Sequence, residues 1–296
     1  MMVDAVAVLI RGLSFIAMFQ AAGGAVFVTL FATWLPLSGL RIRRLLRIVT
    51  LTAIALLLLQ FSFEATRLAG DFSGLWDERL QKLAWDSAAG TAMRLRLSGL
   101  VLVFVGLHSG AALGAGTARR RIADLLCMVG TLLVTVAFTV IGHTVDHPHR
   151  AALALLLLAH LLSMAFWFGA LWPLRQAVIH EAPADATAVL SRFSRLAVWI
   201  VPGVPVAGGT LVILLVPGWF VFGQPYGRLL LAKMAGLGAL LGFAAWNKLR
   251  LTPALVRNNP AAASRLRRSL TLEYLIMAAV LVITAAMTGL YSPDTV

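Results

Sequence analysis

Long apolar segments alternate with short polar loops along the whole chain. Eight of these segments are close to the ~20 residues that a helix needs to cross a bilayer, and their approximate bounds are 5–35, 45–63, 95–113, 122–143, 151–174, 196–216, 229–246 and 270–290. Their apolar positions run continuously instead of alternating, which indicates helices and not barrel strands. The pattern predicts an all-α, polytopic membrane helix bundle with eight transmembrane helices, forming a single transmembrane domain over residues 1–296.

The composition agrees with a lipid bilayer as the main partner of the chain. Hydrophobic residues make up 60% of the sequence, against roughly 45–50% in soluble domains. The formal net charge is +13, but the basic residues sit in short loops and not on a tail or an exposed face, so we expect no nucleic-acid partner. The single cysteine, Cys127, excludes an internal disulfide and a CxxC site.

The basic residues also predict the orientation of the bundle. They concentrate in alternate loops, the first, third, fifth and seventh, as Arg41, Arg43, Arg44, Arg47, Arg119, Arg120, Arg121, Arg175, Arg192, Arg195, Lys248, Arg250, Arg257, Arg265, Arg267 and Arg268. By the positive-inside rule these loops are cytoplasmic. Both termini and the remaining loops are then predicted to be periplasmic.

Histidines form the chief candidate for a functional site. His143 ends the fourth segment, His147 and His149 follow in a periplasmic loop, and His160 lies about 13 Å down the fifth helix. Met164 comes four residues later, on the same helical face. An imidazole near a thioether suits a copper ion, Cu+ or Cu2+. The alternatives are helix packing for His160 and Met164 and a solvated polar loop for His147 and His149.

A further histidine, His108, lies in the third segment about 21 Å from the periplasmic boundary, too deep to share a first shell with His143. It is a candidate for a lower stage of a metal path or a heme ligand, and packing beside Ser109 is the alternative. Among other polar groups in the segments, Glu64 is expected to pair with Arg67. Lys233 is expected to extend toward the nearby surface.

Three stretches of the second half resemble a known family. They are AHLLSMAFWFGAL in the fifth segment, RFSRLAVWIVPGVPVAGGT in the sixth, and YGRLLLAKMAGLGALLGFAAWNKLRLTPAL across the seventh. Together with the Gly142-His143 pair, they resemble the copper resistance D (CopD, PcoD) inner-membrane proteins, which also have eight predicted spans. The resemblance is strongest over about residues 140–290.

The resemblance implies a copper-binding protein of the bacterial cytoplasmic (inner) membrane. Such a protein would take copper from the periplasmic side and transport it toward the cytoplasm, contributing to copper homeostasis and resistance. A periplasmic CopC-type copper chaperone would be a separate chain. By the family motif, His143 and His160 are the expected ligands, with Trp167 and Gly169 as a packing signature, while Lys233 and Asn247 match the pattern without an assigned role.

Two other functions use the same residues. A b-type heme cytochrome would use histidine pairs on facing helices as axial ligands. A copper sensor or assembly factor would bind the metal without moving it. We do not expect an enzyme, because no Ser, His and Asp set and no paired carboxylates converge within the membrane segments.

Overall fold

The computed structural model describes residues 2–110, 117–142, 148–216, 218–257, 259 and 261–291. These residues form helices and connecting turns and contain no β-strand. The α-helices of this part of the chain are α1 Met2–Phe31, α2 Gly39–Ala69, α3 Glu78–Asp86, α4 Ala88–Ser109, α5 Thr117–Val136, α6 Arg150–His180, α7 Pro183–Ile200, α8 Gly203–Leu215, α9 Pro225–Trp246, α10 Thr252–Val256 and α11 Ala262–Leu290. A π-helical turn, Asn247–Leu251, joins α9 to α10.

Eight spans long and apolar enough to cross a membrane are found in the described residues, which confirms the predicted number. Their helices extend beyond the apolar segments at several ends. The clearest case is α2, which begins at Gly39 and so includes the arginines that the sequence indicated as a loop. Arg41 and Arg44 are exposed, whereas Arg43 is 7% exposed and Arg47 is half-buried against His108. Because long arginine stems can pack along apolar surface, these charges do not end the helix.

The sixth span is not the continuous helix that the sequence predicts over 196–216. Instead α7 ends at Ile200 and α8 begins at Gly203, with the break at Val201 and Pro202. Proline has no backbone N–H and its ring clashes with the preceding turn, so it interrupts a helix at this point. The break sets the direction in which α8 leaves α7, and α8 then packs against α6.

One end of the bundle carries the arginine-rich helix ends, and we call it the basic side. Here Arg41 donates a hydrogen bond to His180 Nε2 at 2.7 Å. The Glu181 carboxylate accepts bonds from the Ser38 backbone N–H at 2.7 Å and from the Ser38 hydroxyl at 2.6 Å. These contacts tie the end of α6 to the start of α2, and they account for His180, the histidine outside the predicted site.

At the opposite end, Glu64 joins two arginines. Its carboxylate lies 3.5 Å from Arg67, which confirms the predicted pair, and 3.8 Å from Arg11 of α1. The two arginines also donate to the carbonyls of Gly289 at 3.2 Å and Thr288 at 3.3 Å. Since a helix C-terminus carries partial negative charge, these cations stabilise the end of α11 and connect it to α1 and α2.

The core is built around α1, which packs against α2, α5, α6 and α11. Its closest contact is with α6, where backbone meets backbone. A Cβ atom added to Gly23 would lie 1.8 Å from the Ala165 carbonyl oxygen, and one added to Gly169 would lie 2.1 Å from the Gly23 carbonyl carbon. Gln20 Nε2 donates to the Gly169 carbonyl at 3.3 Å across the same crossing. Small residues permit such close packing of membrane helices.

We therefore expect Gly23→Ala or Gly169→Ala to force α1 and α6 apart and to destabilise the bundle by about 1–3 kcal/mol. The measurement is the thermal unfolding temperature of the purified protein in detergent. Gly238→Ala in α9 is the matched control, because a Cβ there meets no atom within 4 Å. An unfolding temperature that falls equally in the control would contradict the close crossing.

Candidate metal site

The site is built on α6, where His160 lies about 15 Å from the start of the helix. Its imidazole is half-buried and faces α8. Nδ1 lies 2.9 Å from the carbonyl oxygen of Val204. The ring also packs on Gly208, where an added Cβ would come within 2.9 Å of Nδ1 and Cε1. The absence of a side chain at Gly208 therefore makes the space that the imidazole occupies.

The contact with Val204 determines the tautomer of His160. A carbonyl oxygen can only accept, so Nδ1 carries the proton and donates it. In the neutral ring Nε2 then holds the lone pair that can accept a hydrogen bond or bind a metal. Histidines that bind metals commonly hold their other ring N–H on a backbone carbonyl, which fixes the ring and raises its basicity. His160 has this arrangement.

Met164 and Lys233 lie near His160. Met164 follows one turn later on the same face of α6 and is 6% exposed. Lys233 of α9 is half-buried, and its ammonium group is near enough to act electrostatically on the imidazole of His160. The predicted imidazole and thioether thus share one face of α6, and the lysine from α9 lies on the His160 side of the pair.

His149 is exposed and immediately precedes α6. It lies eleven residues before His160, or about 16 Å along the helix axis. This distance is too long for both rings to bind one ion. The structure therefore places His149 at the start of the helix and does not bring it together with His160.

His108 lies near the other end of the bundle, as the penultimate residue of α4. Arg47 of α2 lies 3.2 Å from its Nδ1, and the ring stacks on Phe104 with centroids 6.3 Å apart. Since an arginine only donates, Nδ1 accepts here and a neutral ring carries its proton on Nε2. Neither nitrogen then offers a lone pair to a metal, so this geometry gives His108 a packing and hydrogen-bonding role.

His143 and His147, the other two predicted ligands, lie outside the described residues. Among the residues that are described, no group of three or more His, Cys, Asp or Glu side chains is placed to hold a metal ion. The described part of the site consists of His160 and Met164.

A second buried polar group was missed by the sequence analysis. Glu273 in α11 is 2% exposed and accepts a short hydrogen bond from the side chain of Asn247. The signal in the sequence was a lone acid within the apolar run LTLEYLI, because a charged residue inside a membrane segment is costly and usually marks a specific partner or a function. Asn247 was singled out only through the family pattern.

The eight apolar spans of the described residues and their buried polar contacts define a multi-pass helical membrane protein. The family model for copper resistance protein D matches residues 187–287, and this match supports placing the chain in that family. The matched segment contains α8, Lys233, Asn247 and Glu273, while His160 and Met164 precede it. Searches of the curated proteins and of the solved structures found no significant match.

Proposed function

We propose that this copper-resistance-related membrane protein binds copper at His160 and Met164 and passes it toward the basic side of the bundle. The observation that carries the proposal is the hydrogen bond from His160 Nδ1 to Val204. It holds the ring in one orientation and presents Nε2 as a ligand atom. The match to the copper resistance D family supports copper as the metal.

The surroundings of His160 favour Cu+ over Cu2+ as the bound form. A thioether is a soft ligand and prefers Cu+, whereas imidazole binds both oxidation states. Lys233 points to the same choice, because an ammonium group repels a divalent ion about twice as strongly as a monovalent ion at equal distance. His143 and His147, which precede α6 in the chain, would complete the coordination or deliver the ion.

Charge and ligand placement support the proposed direction of movement. The positive-inside rule assigns the basic side to the cytoplasm, and His149 and the start of α6 then face the periplasm. Copper would enter at that end, supplied by a periplasmic CopC-type chaperone as a separate chain, and pass His160 on its way inward. The membrane would be the bacterial cytoplasmic membrane.

Replacing His160 by Ala removes the imidazole ligand, and we expect the affinity for Cu+ to fall by at least about tenfold. The measurement is a competition between the purified protein and a colorimetric Cu+ chelator under reducing conditions. In cells, the same variant should accumulate less copper than the wild type.

His108→Gln is the control, since Arg47 already occupies Nδ1 of that ring. Its affinity for Cu+ should stay within about twofold of the wild type. Equal losses in the two variants, or none in His160→Ala, would contradict the proposed ligand. A Soret band in the purified wild-type protein would instead indicate the heme function.

Two neighbouring glycines of α8 test the positioning of the ring. A Cβ at Gly208 would press on His160, whereas one at Gly209 meets nothing within 4 Å. We expect Gly208→Ala to displace the imidazole from the Val204 carbonyl and to weaken Cu+ binding by about 10–100-fold. Gly209→Ala should bind as the wild type does, and the same competition assay would show whether the two variants differ.

A further inference from the structure

A cavity of about 330 Å³ lies between α6, α7, α9 and α11, away from His160. Its walls are mostly apolar, and Asn247, Lys248 and Glu273 are among the residues that line it. Cavities of this size and character hold small molecules or the polar ends of larger ones. The proposed passage of copper uses none of these three residues.

The cavity is reachable from the lipid. Val198 of α7 and Leu241 of α9 both line it, and they are also exposed on the outer surface of the bundle, by 42% and 36%. Because these helices cross the membrane, a molecule dissolved in the bilayer could enter between them. The apolar part of such a molecule would remain against the exposed faces of α7 and α9.

Glu273 gives the cavity an acidic group that has no cationic partner. No Lys or Arg side chain in the described ranges lies within ion-pair distance of its carboxylate. It accepts a hydrogen bond from the neutral amide of Asn247, and the other polar side chain beside it, Ser269, is neutral too. A carboxylate removed from water is expensive unless it is paired and hydrogen-bonded. A ligand with a cationic hydrogen-bond donor would supply the missing partner.

Asn247 adds an unsatisfied acceptor beside Glu273. While its amide N–H donates to the carboxylate, its Oδ1 is buried with no donor among the described residues. Leaving a buried acceptor unpaired costs about 1–3 kcal/mol. Asn247 also opens the π-helical turn between α9 and α10, and such turns occur frequently at functional sites. A group with several N–H donors could satisfy both acceptors.

Lys248 adds a positively charged side chain to the lining of this cavity. It directly follows Asn247, is exposed, and lines the same cavity. The depth of the cavity in the membrane also fits a lipid head group. Glu273 lies only five residues beyond the exposed Arg268, or about 7.5 Å along α11. An acidic and a basic group therefore meet at one cavity near the membrane surface.

We propose that this cavity binds a phospholipid of the ethanolamine type from the leaflet at the basic side, with its ammonium on Glu273 and Asn247 and its phosphate on Lys248. The cavity lining offers an acidic group for the ammonium and a basic group for the phosphate, so it carries a partner for each charge of this zwitterion. A choline head group has the same net charge but no N–H, so it cannot donate to either acceptor. The site should therefore distinguish the two lipids by hydrogen bonding.

The test is native mass spectrometry of the full-length, delipidated protein in detergent with added phosphatidylethanolamine, its N-methyl and N,N-dimethyl derivatives, or phosphatidylcholine, all with the same acyl chains. Lipid retention should fall as N–H donors are lost, with about a tenfold or larger preference for ethanolamine over choline. Equal retention across the series in the wild-type protein would overturn the proposal. No copper is needed, so the outcome does not depend on the proposed function.

Three variants test which side chains hold the ammonium and the phosphate of the lipid. Glu273→Gln should lower ethanolamine retention to the level of choline, and Lys248→Gln should weaken the retention of both lipids. Arg250→Gln is the matched control, because Arg250 is a basic, exposed residue of the same π-helical turn that does not line the cavity. Retention unchanged by Glu273→Gln would overturn the proposal. So would phosphatidylglycerol binding as tightly as phosphatidylethanolamine, since Lys248 alone would then set the affinity.

Discussion

The bundle depends on the backbone contact between α1 and α6 at Gly23 and Gly169. No side chain separates the two helices there, and Gln20 adds a hydrogen bond to the Gly169 carbonyl. The crossing fixes α6 against the central helix, and with it the level and direction of His160 and Met164, which precede Gly169 by less than three turns. A glycine pair joins α4 to α5 in the same way at Gly99 and Gly130.

The fold was largely predictable because a bilayer requires long apolar helices. Hydropathy could not show where each helix ends, since α2 continues through its arginines, of which Arg43 is buried and Arg41 and Arg44 are exposed. The break at Pro202 carried a recognisable signal, but proline is tolerated in some membrane helices, so sequence alone did not decide between a kink and an end. The orientation of the termini remains a prediction from charge.

The candidate site, too, was predictable only in part. Spacing along one helix placed His160 and Met164 on one face. The partner that orients the ring is a backbone carbonyl of Val204, forty-four residues later, and a backbone atom leaves no signature in the sequence. Glu273 could not be interpreted for a similar reason, since its environment is formed by Asn247 and by a cavity between four helices. Only tertiary structure brings these groups together.

One imidazole, held by a carbonyl on the neighbouring helix, is proposed to present its Nε2 atom to copper inside the membrane. Anomalous scattering at the copper edge from crystals grown with Cu+ would test this most directly. The account predicts a peak within bonding distance of His160 Nε2, on the side of the ring facing Met164. A copper peak bound elsewhere, with His160 still donating to Val204 and its Nε2 remote from the metal, would contradict it.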